Sequence, residues 1–148
     1  MTHRLFQKAV TVVFSLAMLS YVSTSVAHDA GATMDPNGTV PAFTGYALVT
    51  CSGGSDILAA SIKDTSPPQD NLLVNLQIIK GNHAINTTDP VSGDGNFSPE
   101  VRVHGGDGVY QLLVNKTKAG ARSFIVSYHC MTISGVHTET DITVQQFE

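Results

Sequence analysis

From residue 43 onward, apolar and polar positions alternate in short bursts separated by glycine, proline, asparagine and serine. A period of two marks strands that bury one face. The pattern predicts strands over residues 43–51, with Tyr46, Leu48 and Val49, and over 57–62, where Leu58, Ala60 and Ile62 share a face. Pro67 and Pro68 cannot donate to a ladder, so residues 64–70 read as a loop. In the next strand, 72–79, Leu72, Val74, Leu76 and Ile78 stand opposite Asn75 and Gln77. Residues 81–98 are irregular apart from a short strand at 83–86.

A three-stranded unit follows over residues 101–130. Val101 and Val103 are expected to face in and Arg102 and His104 out. Tyr110, Leu112 and Val114 make the next inward row. Phe124, Val126, Tyr128 and Cys130 make the third, with Ile125, Ser127 and His129 opposite. Gly105, Gly106 and Gly108 supply the turn between the first two strands, and a last strand is expected over 141–147. No segment beyond the N-terminal region shows a helical period. The fold class expected is all-β: a single antiparallel β-sandwich of about seven or eight strands.

The N-terminal region follows a different pattern. His3, Arg4 and Lys8 are basic, residues 9–19 are apolar but for Thr11 and Ser15, and residues 21–27 are small or polar, ending Ser25-Val26-Ala27. That order is the pattern of a secretory signal peptide cleaved after Ala27. The apolar run of 11 residues falls short of the roughly 20 that cross a bilayer, so the protein is not expected to be integral to a membrane. The division expected is a signal peptide over 1–27, an arm over 28–42 and a sandwich domain over 43–148. Export puts the protein in a periplasmic or extracellular compartment.

There the two cysteines, Cys51 and Cys130, are expected to form one disulfide, across the sheets or between neighbouring strands. Losing Arg4 and Lys8 with the leader leaves 6 basic against 12 acidic residues, a net charge of −6. No basic cluster accompanies that balance, which excludes a nucleic-acid partner of the phosphate-binding kind.

Residues 101–130 resemble part of the bacterial pre-peptidase C-terminal domains. The resemblance rests on Gly108-Val109-Tyr110-Gln111-Leu112-Leu113-Val114, then Gly120, then Phe124-Ile125-Val126-Ser127-Tyr128. It implies a secreted β-sandwich that acts as an accessory or binding module, and it carries over no catalytic residue.

Three chemistries have candidate residues. Cleavage would leave His28 at the N-terminus, where an α-amine and an imidazole together chelate copper. His83, His104, His129 and His137 are the other candidate ligands, with Met34 and Met131 as soft donors, and His104 and His129 are expected on neighbouring strands. Asp89, Asp94, Asn96 and Glu100 offer oxygens for calcium, although their spacing is not that of an EF-hand. No nucleophile elbow, His-Glu-x-x-His or phosphate-binding glycine motif is present, so no catalytic residue is assigned. The chain therefore reads as a non-catalytic binding or accessory protein whose partner is a protein or a small ligand. A copper-binding envelope protein is the alternative.

Overall fold

The computed structural model describes residues 27–146. The leader expected over 1–27 thus lies outside the described residues, Ala27 excepted. The elements are strands β1 (His28–Met34), β2 (Thr44–Ser52), β3 (Ile57–Asp64), β4 (Val74–Lys80), β5 (His83–Thr88), β6 (Val101–His104), β7 (Gly108–Lys116), β8 (Arg122–Met131) and β9 (Glu139–Gln146). They form two antiparallel sheets, a four-stranded one ordered β1-β8-β3-β6 and a five-stranded one ordered β5-β4-β7-β2-β9. The fold is the all-β, two-sheet arrangement expected, with nine strands.

The alternating rows meet between the sheets. Leu58, Ala60 and Ile62 from β3 pack in one buried cluster with Phe124, Val126 and Tyr128 from β8. The second sheet adds Leu76 and Ile78 from β4 and Tyr110, Leu112 and Val114 from β7. The Cys51–Cys130 disulfide spans this core, joining β2 of one sheet to β8 of the other with their Cα atoms 5.6 Å apart. It closes a loop with a sequence separation of 79, a constraint on the unfolded chain worth about 4 kcal/mol in the loop-entropy account.

The segment read as an arm begins instead as a strand. Residues of β1 pair with β8 in unbroken register, from His28 opposite Tyr128 to Met34 opposite Arg122. Its composition, rich in glycine and alanine, hides the strand, because an edge strand is held by its neighbour's backbone more than by its own propensity. Small size is also what the position requires. A Cβ on Gly31 would sit 2.7 Å from the Phe124 carbonyl oxygen, while fully buried Met34 anchors the strand in the core. The strand expected from residue 72 starts at Val74, because Asn71 takes a left-handed backbone (φ 58). Leu72 then turns back to donate its N–H to the Gln69 carbonyl.

One end of the sandwich is closed by buried charge. Lys116 follows Tyr110, Leu112 and Val114 on the core row of β7 and is itself buried. Its Nζ donates to Asp35 Oδ2 at 2.8 Å and to the carbonyls of Val40 and Lys118. Asp35 also accepts the N–H groups of Thr39, Val40 and Gly120. Beside it, buried Arg122 lies 3.5 Å from Asp64 and donates to the Pro67 carbonyl and to Gln69 Oε1. Asp64 accepts from the Ser66 N–H and the Ser92 hydroxyl, and Asp89 Oδ2 accepts the Asp64 N–H. A buried ion is tolerated where its hydrogen bonds are met, and here all but the buried Arg122 Nε find a partner.

Two outcomes follow. Replacing both cysteines, as Cys51→Ala with Cys130→Ala, is expected to cost about 2–5 kcal/mol of unfolding free energy in urea; an unchanged midpoint would show the cross-link to be idle. Burial pushes the Asp35 carboxyl up, but the bonds from Lys116, Gly120, Val40 and Thr39 outweigh it and hold the group well below the ordinary carboxylate range. A depressed carboxyl contributes stability that is present above its unfolded pKa, about 3.9, and is lost as pH falls below it. Urea midpoints measured from pH 5 to pH 2 are therefore expected to fall more steeply in the native protein than in Asp35→Asn. Parallel slopes would contradict this assignment.

Candidate functional site

Of the candidate histidines, His129 and His137 come together, but His104 and His129 do not. β6 and β8 are not neighbours, since β3 lies between them, and Ala59 pairs with Arg102 on one side and with His129 on the other. His104 is exposed, with Nδ1 2.8 Å from Asp56 Oδ2. His83 is exposed at the start of β5. His28 pairs with Tyr128 on the core-facing row of β1, its ring 5.9 Å from that tyrosine's. His129 stands on the opposite, outer face of the same sheet, where its ring stacks on His137 at 4.6 Å. The two soft donors are out of reach: Met34 is fully buried and Met131 nearly so. Among the described residues, no three histidines, cysteines or acids gather as a metal ion would need.

The calcium candidates also disperse. Asp89 is buried, and its carboxylate accepts the N–H groups of Asp64 and Val91. Asp94 closes a local turn on Asn96. Glu100 pairs with Arg102 at 2.8 Å and approaches His129 Nε2 at 3.5 Å. These oxygens are used within the fold, and the four residues present no common cage.

The glycines of the β6–β7 turn shape the other end of the sandwich. Gly106 has φ 68, and a Cβ on Gly105 would meet the Lys80 side chain at 2.5 Å. Lys80 Nζ donates to the carbonyls of Gly106 and Asp107 and lies 4.1 Å above the Tyr110 ring. The Asp107 carboxylate takes the N–H groups of Gly54 and Ser55, tying this turn to the β2–β3 turn. Burial lowers the Lys80 pKa, and Asp107 partly restores it.

A feature of another kind lies where the edge strands of the two sheets face each other. Between β1 and β9 the core opens in an apolar slot of about 60 Å³, walled by Ala30, Ala47, Val114, Phe124, Ile142 and Val144 among others. Four of its lining residues on β1 and β2 are small: Ala30, Gly31, Gly45 and Ala47. Ile142 and Val144 pair with Val49 and Ala47 and so lie on the core-facing row of β9. Even so, Val144 is 54% exposed. An apolar side chain on a core row that stays open to water marks a place where packing is incomplete. The sequence held the signal for this slot in the small residues of 28–34 and 44–47 and in the Ile142–Val144 alternation. Reading 28–42 as an arm concealed it.

Compared with protein-family models, with curated proteins and with solved structures, the chain finds no match.

The stacked pair makes one solution property measurable. Burial pushes the His129 imidazole below its ordinary 6.5; Glu100 pulls it back up, and His137, Arg102 and His28 press it further down. Its Nδ1 is buried without a hydrogen-bond partner. A histidine held neutral in the fold takes up its proton more readily when unfolded, so stability falls as pH drops below about 6.5. Urea midpoints between pH 7.5 and pH 5 are expected to drop less in His129→Gln than in the native protein. An equal drop would place the effect elsewhere.

Proposed function

We propose that the protein is an exported, non-catalytic binding or accessory module that seats an apolar group of its partner in the slot between β1 and β9. The observation that carries this reading is Val144, which lies on the core-facing row of β9 and is more than half exposed. A sandwich without a partner gains by sealing such a seam, since each buried Å² of apolar surface is worth about 25 cal/mol. A seam left open is explained by a partner that covers it. Export is supported by the basic, apolar and small-residue order of 1–27 and by a disulfide of the kind that persists in oxidising compartments.

The test is site-specific photocrosslinking in the producing cell, with a benzophenone amino acid at position 144 and, as control, at position 109. Val109 is similarly exposed, at 51%, but it does not line the slot. A discrete adduct is expected from position 144 and not from 109. Adducts of equal yield from both positions, or none from 144, would overturn the reading.

A further inference from the structure

We infer that the partner at this slot is an extended segment of another protein that adds as a strand to the free edge of β9, with apolar side chains entering the slot and lysines or arginines on the alternate positions. This deepens the proposed reading and rests on it. β9 ends its sheet, pairing with β2 on one side only. A strand edge presents a row of backbone donors and acceptors that an extended segment can satisfy.

The two rows of β9 differ in chemistry. Ile142 and Val144 face the core and line the slot, whereas Glu139 and Asp141 stand with Thr143 on the outer row. Because successive side chains of a strand point to opposite faces, a segment added alongside β9 puts every second residue over the slot. The residues between them fall beside Glu139 and Asp141. Opposite charges directly across a strand pair attract and like charges repel. Burial pushes the Tyr128 pKa up, and Asp141 and Asp29 add to that. β1, β2 and β9 contain no lysine or arginine. The segment that fits alternates apolar with basic residues. A second copy of this chain does not fit, because it brings the same acids to the same edge.

The experiment uses the mature, disulfide-intact protein, isotope-labelled, with two blocked octapeptides as probes: one alternating lysine with valine, the other glutamate with valine. Amide shift changes are expected along β9 and at Ala30, Ala47 and Val114 with the lysine peptide, and at least tenfold weaker binding with the glutamate peptide. Val144→Asp is expected to abolish the slot changes while the amide spectrum elsewhere stays that of the native fold. The double reversal Glu139→Lys with Asp141→Lys is expected to exchange the two peptides' affinities. Equal binding of both peptides at the slot would overturn the basic partner while leaving the apolar seat in place. Lysine-peptide binding that leaves the slot amides unmoved, or a protein that dimerises through β9, would overturn the inference. Binding of neither peptide would overturn it too, and the crosslinking at position 144 then decides the underlying reading separately.

Discussion

The two buried ion pairs at one end of the sandwich place the strictest condition on the rest of the structure. Lys116 with Asp35 and Arg122 with Asp64 are almost wholly removed from water. Four charges in a dry site are acceptable only when every partner arrives together, since stranding one leaves it uncompensated. The β7–β8 hairpin supplies both cations, the turn after β1 supplies one anion and the end of β3 the other. A slip of one residue in β7 or β8 would turn a cation to the outside and leave its acid alone. The pairs thus penalise a slip in register. The disulfide acts at the opposite end, because Thr44 pairs with Asn115 near the ionic closure and Cys51 with Gly108 far from it. One end is matched by charge and the other is joined covalently.

The sequence carried more of this than its apolar residues alone suggest. The rows 110-112-114, 58-60-62 and 124-126-128-130 were legible from alternation, and all of them are core. Extended by one step, each reaches a charged residue: Lys116, Asp64 and Arg122, all buried. Continuing the period through the charge, instead of stopping at it, points to a buried ion that needs a partner. Which acid serves which base was not legible, because Asp35 and Lys116 are brought together only by the pairing of distant strands. The same limit explains the histidines. Alternation put His104 and His129 on the outward face, but strand order inserts β3 between their strands, and the period of two says nothing of order.

The edges of the sandwich set acidic residues beside exposed apolar surface. Acidic residues on an outer row discourage pairing between identical edges, and β9 carries two of them beside an unsealed apolar row. Small residues of β1 and β2 line that seam. β1 is hard to see in the sequence for the same reason, since glycine and alanine look like loop there and act as clearance in the fold.

The cross-sheet disulfide also has a mechanical meaning. A pulling force applied through the two flanks of the domain passes directly from Cys51 to Cys130, and the 79-residue separation between them bears none of it. Strands β3 to β7 lie wholly within that shielded span. What can yield is the outer material: β1 peeling from β8, β9 from β2, and most of β2 itself. Under load the chain outside the cross-link sets how far the molecule can lengthen. Both edges of the slot, β1 and β9, lie in that extensible portion.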